Sequence, residues 1–101
     1  MSIKYHFDWN PVKDQQNRRK HNLSFQQAAT VFRDPFQLSI YDEHHSEDEE
    51  RWITIGLDNR EVLRVVVHTF EMFDESFCEI RIVSARKATT EEAQVYYQRR
   101  L

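Results

Sequence analysis

Ile80-Arg81-Ile82-Val83-Ser84-Ala85-Arg86-Lys87-Ala88-Thr89-Thr90-Glu91-Glu92 reads as a strand that runs directly into a capped helix. Over residues 77–85, alternation sets Cys78, Ile80 and Ile82 on one face and Glu79, Arg81 and Val83 on the other. Thr89 followed by Glu92 is a capping box, and Glu91-Glu92 and Arg99-Arg100 complement the dipole of the helix that follows. A long cation at a strand centre calls for a partner or a ligand. For an arginine with no metal motif beside it that ligand is an anion, which points to phosphate and so to RNA or DNA.

Upstream of this stretch the same logic gives four more strands, at residues 5–9, 37–41, 52–57 and 62–70. Asn10-Pro11 starts a helix that runs to about residue 21, mostly polar, with Val12 as its one aliphatic contact. Ser24 with Gln27 caps a second helix to about residue 33, with Phe25, Ala28, Ala29 and Phe32 as its apolar stripe, and Asp34-Pro35 ends it. Hairpin-length connections between the later strands predict an α+β fold: an antiparallel sheet with two N-terminal helices and one C-terminal helix packed against it.

The 101 residues fit one domain, 1–101, and 40% apolar content suffices for a core without disulfides or a structural metal. The single cysteine, Cys78, excludes an intrachain disulfide and suits a reducing compartment. No segment reads as a signal peptide or membrane span, so the cytoplasm is expected. The net charge of −3 hides an asymmetry. The segment at residues 42–50 (DEHHSEDEE) holds six acids and no Lys or Arg; without it, 14 basic residues face 11 acidic ones. His44-His45 lacks a recognisable ligand spacing, so no metal or other cofactor is expected.

If residues 52–57, 62–70 and 77–85 are neighbouring strands, one sheet face is aliphatic and covered by helices, and the other collects Trp52, Arg64, His68 and Arg81. Such a face suits RNA, with aromatics stacking on bases and arginines holding phosphates. It also suits cleavage by 2′-hydroxyl attack, which needs a base, an acid and cations but no metal. Each residue has a structural reading too. His68 fits a hydrogen-bonded core histidine and Arg81 a partner of Glu79 or a helix carboxylate. Trp52 and Tyr96-Tyr97 fit packing, and residues 18–21 the basic last turn of a helix.

Phe7-Asp8-Trp9-Asn10, Lys13, Arg19-Lys20-His21 with Leu23-Ser24-Phe25, Ala28-Ala29, Val31-Phe32 and Asp34-Pro35 resemble the opening of the BrnT family of toxins. Glu50-Arg51-Trp52, Ile55-Gly56, residues 65–69 and residues 80–89 continue the resemblance in order. It implies a RelE-like fold and a type II toxin that cleaves RNA and blocks translation, causing growth arrest. It also implies a cognate BrnA-like antitoxin with a ribbon-helix-helix domain, through which toxin and antitoxin would repress their own promoter; DNA would be met only through that partner. The candidate catalytic residues are Arg64, His68, Arg81, Arg86, His21 and Glu50, and the candidate RNA contacts are Lys20, Arg51, Trp52 and Lys87. Asn22 stands where the family usually has glycine, and asparagine tolerates the same left-handed backbone. The alternative is a RelE-like module without catalysis that acts mainly in its antitoxin complex; a third reading is an interaction domain that binds no nucleic acid.

Overall fold

The structure, a computed structural model, describes residues 3–45 and 49–100. Residues 46–48 of the acidic segment, and residues 1, 2 and 101 of the expected domain, lie outside the described residues. The chain runs β1 (Lys4–Trp9), α1 (Pro11–His21), α2 (Phe25–Ala29), a 3-10 turn (Thr30–Arg33) and β2 (Leu38–Tyr41). A short 3-10 turn (Glu43–His45) leads to β3 (Trp52–Leu57), β4 (Leu63–His68), β5 (Glu71–Met72), β6 (Phe77–Lys87) and α3 (Thr90–Arg100). Among the described residues no helix is long and apolar enough to cross a membrane.

Local chemistry sets the helix ends. The Asn10 side chain accepts from the Val12 and Lys13 amides at 2.9 and 3.2 Å, and Asn22 closes α1 in the left-handed region at φ 52°. Val12 is 60% exposed, so the expected aliphatic contact of α1 is absent. Its anchor is the buried Asn17, whose Nδ2 donates to the Leu23 carbonyl at 2.9 Å while Oδ1 accepts from the Ala85 amide at 3.1 Å. Ser24 caps α2 through the Gln27 amide at 3.1 Å. The Gln27 side chain reaches the Asp58 carboxylate instead of returning to the cap. The second helix tightens after one turn because the Thr30 hydroxyl bonds back to the Gln27 carbonyl at 2.6 Å.

The sheet order is β1-β6-β4-β3-β2, with β5 also paired to β6. The sheet is mixed, which corrects the expectation of an antiparallel one: β1 lies parallel to β6, Lys4 opposite Phe77 through Trp9 opposite Ile82. Hairpin-length loops reveal the sense of consecutive strands only, and β1 meets a strand far along the chain. A bulge between Val67 and His68 shifts the β4–β6 register, so that Val66 faces Ala85 but His68 faces Ile82.

Both faces of the sheet centre are covered. Phe25, Ala28, Val31 and Phe32 pack with Val66, Cys78, Ile80, Ile82 and Ala85 on one side. Tyr96 of α3, which is fully buried, packs with Ile55, Leu63 and Val65 on the other. Gly56, the chain's one glycine, lets the 3-10 turn close on β3: a Cβ there would sit 2.8 Å from Val31 Cγ1. Cys78 is fully buried, and burial raises its thiol pKa.

Candidate functional site

The expected open face bearing Trp52, Arg64, His68 and Arg81 does not form. Cross-strand partners share a face, and the register sets Arg64, Val66 and His68 on the side of Ile82 and Ala85, beneath α2 and its 3-10 turn. Arg81 points the opposite way. Alternation alone could not tell which face of β4 matches which face of β6, and β4 is central, so both its faces are buried.

Three of the predicted residues are engaged within the fold. Arg64 Nε lies 2.9 Å from Asp58 Oδ2. Burial alone would raise the Asp58 carboxyl; the Arg64 bond, with those from Val62, Arg60 and Gln27, holds it below the usual carboxylate range. His68 is 2% exposed. Its Nδ1 meets the Thr69 carbonyl at 2.9 Å and must carry the proton, so Nε2 accepts from the Thr54 hydroxyl at 2.6 Å. Ser39 and Thr54 hydroxyls are 2.7 Å apart, and the Phe32 ring stands edge-on to the imidazole. Burial lowers the His68 pKa to about 4 despite the carbonyl's opposing pull.

Arg86 grips Glu92 with both terminal nitrogens, at 2.7 and 2.9 Å. That bond raises the Arg86 pKa, and it is the leading reason the Glu92 carboxyl falls to about 2. Glu92 also closes the expected capping box, accepting from the Thr89 amide at 2.8 Å. Arg86 is 42% exposed, so solvent screens the pair. Glu92→Gln removes the charge of the pair but keeps an acceptor for the Thr89 amide, so it is expected to cost roughly 0.2–1 kcal/mol. The folded carboxyl lies below its ordinary value of 4.5, so this stability is present above that pH and fades as pH falls toward 2. Urea denaturation at neutral pH checks it, and a midpoint equal to the parent's would mean the pair holds nothing.

Arg81 is different. It is exposed, and among the described residues its side chain has no hydrogen bond or ion pair. It stands opposite Asp8 of β1, and the Thr69 amide donates to the Arg81 carbonyl at 2.9 Å. One residue beyond the β3–β4 ladder, the register sets Arg51 opposite Thr69, with the Asp42 amide on the Arg51 carbonyl at 2.8 Å. The row Asp8, Arg81, Thr69, Arg51, Asp42 thus crosses the sheet beyond the reach of the α3 core. Two strand spacings separate the arginines, roughly 10 Å. Arg51 Nε also lies 3.8 Å from Glu49. Glu49, Glu50 and Glu71 line a hollow of 330 Å³ with Thr69 and Phe70.

One residue missed at sequence level, His6, lies on the same face as Arg81, as does Glu79, which alternation had placed there. His6 sits two positions before Asp8, with Nδ1 3.5 Å from Glu79 Oε2, and Glu79 sits two positions before Arg81. Only the parallel pairing of β1 with β6 brings His6 there, which no local pattern announces. Trp52 is half-buried, edge-on to Tyr41 and Phe70. Lys87 is exposed opposite Arg64. Lys20 is exposed and His21 half-buried in the last turn of α1, and among the described residues no hydrogen bond links either to the row.

The family described as "Ribonuclease toxin, BrnT, of type II toxin-antitoxin system" matches residues 9–92. The chain belongs to the BrnT family. The matched stretch holds Arg51, Thr69 and Arg81, while His6 precedes it. Among solved structures the chain is similar to the Brucella abortus ribonuclease toxin BrnT, with a TM-score of 0.54 and 22% identity. The likeness covers 89% of this chain and 99% of that one and bears on the fold. A search of the curated proteins finds no match. The BrnT family is described as the ribonuclease toxins of type II toxin-antitoxin systems, and membership in it implies an antitoxin partner.

Proposed function

We propose that this chain is a single-domain, metal-independent endoribonuclease of RelE-like type that cuts RNA on the sheet face around Arg81 and inhibits translation in the cytoplasm. The observation that carries the reading is Arg81 itself: an exposed guanidinium at mid-strand, without an ion pair among the described residues, in register with Thr69 and Arg51. A guanidinium matches phosphate geometry and stabilises the charge that builds as the 2′-oxygen bonds to phosphorus. In this reading His6, steadied by Glu79, takes the 2′-hydroxyl proton. The bond from phosphorus to the 5′-oxygen breaks, a 2′,3′-cyclic phosphate forms, and the leaving oxygen gains a proton from water. His21 and Lys20 are kept as outer RNA contacts and Glu50 as a rim acid, whereas Trp52 and Lys87, opposite His68 and Arg64, lie on the other face and could meet only RNA that wraps round the sheet edge. Arg64, His68 and Arg86 act through the fold. A ribbon-helix-helix antitoxin of BrnA-like type would neutralise the toxin and carry the pair to its promoter.

One observation favours a second reading. Glu49, Glu50 and Glu71 crowd the hollow beside the arginine row and would repel phosphate. In that reading the chain lacks catalysis and serves mainly as the antitoxin's partner. Growth and total RNA after inducing this chain alone separate the two. The parent is expected to arrest growth and cut RNA, and Arg81→Ala to cut at least about 100-fold more slowly while staying folded. A soluble parent that leaves growth and RNA untouched would support the binding module instead.

A further inference from the structure

A cleft of 540 Å³ lies on the α2 side of the sheet, away from Arg81. Trp9 of β1, Gln26 of α2, Arg33 of the 3-10 turn, and Asn59 and Arg60 of the β3–β4 connection line it. A smaller hollow of 210 Å³ shares Thr30, Arg33 and Asn59, and Asp34, Leu57 and Asp58 complete its lining. Both arginines are exposed, and among the described residues neither side chain has a hydrogen bond or ion pair.

The acids beneath are already saturated. Asp58 takes the Arg60 and Val62 amides on Oδ1 and Gln27 and Arg64 on Oδ2. Asp34 takes the Phe36 amide, the Leu57 amide and the Tyr96 hydroxyl. Their hydrogen-bonding capacity is therefore taken up within the fold, and Arg64 offsets the charge of Asp58 directly. The cleft is lined by two guanidiniums, the primary amides of Gln26 and Asn59, that of Gln27 which is bonded to Asp58, two hydroxyls and an aromatic wall.

We propose that this cleft is a second RNA subsite, seating one unpaired nucleotide with Arg33 and Arg60 on its flanking phosphates. Its volume suits a nucleotide-sized ligand, and two arginines on separate elements suit the two phosphates that flank a nucleotide within a strand. Gln26 and Asn59 offer donors and acceptors to a base edge, and Trp9 offers an aromatic surface. An acidic protein segment would use only the arginines. The proposal rests on RNA being the substrate.

The test uses a fluorescein-labelled, ten-nucleotide 2′-O-methyl RNA, which lacks the attacking hydroxyl, so binding is read without cleavage. Its anisotropy is titrated against the parent, Arg33→Ala/Arg60→Ala and Arg81→Ala across a salt series, with circular dichroism as the fold control. The double variant is expected to bind roughly tenfold more weakly at low salt. The slope of log K against log salt should fall by about 1.4, or 0.7 for each single-strand phosphate left without its arginine. Equal affinity and slope in parent and double variant would overturn the subsite, as would a parent that does not bind this RNA. If Arg81→Ala alone weakens binding, the cleft proposal fails while the sheet-face reading stands. A poly-glutamate peptide is titrated alongside. Loss of peptide binding with RNA binding intact would reassign the cleft to an acidic protein segment and also overturn the proposal.

Discussion

Asp34→Ala will lower stability by about 3–5 kcal/mol. Asp34 is 8% exposed and sits where the 3-10 turn ends. Its Oδ2 receives the Leu57 amide at 2.9 Å and the Tyr96 hydroxyl, and its Oδ1 receives the Phe36 amide at 2.9 Å. One carboxylate therefore ties together β3, α3 and the segment after the second helix. Alanine strands these donors, and the Tyr96 hydroxyl belongs to a fully buried side chain. Tyr96→Phe removes one of the bonds and should cost less, roughly 1–3 kcal/mol. In a double-mutant cycle by urea denaturation the two should couple, because Tyr96→Phe removes a bond already absent in Asp34→Ala. Additive losses would show that the hydroxyl and the carboxylate contribute independently.

The second large effect is the pH dependence set by His68. Its folded pKa is about 4 against an ordinary 6.5. Between these values the unfolded chain holds a proton that the folded chain does not, so stability falls as pH drops from 6.5 to 4. The full loss is on the order of 3 kcal/mol. Above pH 6.5 both states are neutral there and the histidine adds no slope. The Glu92 effect occupies the window from 4.5 down toward 2, so the two losses are separable in a urea series across pH. His68→Gln should flatten the upper window and lower the neutral-pH stability, since its amide cannot reproduce both ring bonds. A stability curve that is flat between pH 6.5 and 4 in the parent would mean the imidazole protonates freely in the folded state.

What the sequence disclosed well was local. Asn10, Ser24, Thr89 and Asn22 announce their helix ends because a cap needs only neighbours within a few residues. The bounds of β3 and α1 follow for the same reason. What it hid was relational. The bulge at Val67/His68 and the parallel docking of β1 decide which side chains share a face, and neither leaves a periodic mark. Arg81 was legible as a cation in need of a ligand, and Glu79 as its neighbour on the strand, while its neighbours on other strands were not. His68 and Arg64 look like reactive groups in a list of residue types; only their bonds to Thr54, Thr69 and Asp58 show them holding the fold. Arg33 and Arg60 went unweighed because they lie in separate elements with ordinary local sequence.

The parallel strand at the sheet edge has a consequence for how the molecule comes into being. Residue 4 pairs with residue 77 and residue 9 with residue 82, so β1 has no place to dock until β6 exists. On a translating ribosome the β2–β4 meander can form before β6 is made, whereas β1 must wait for residues 77–82 to emerge. His6 and Asp8 reach Arg81 only at that closing step. The proposed reactive face is thus complete only once two segments some seventy residues apart in sequence have met.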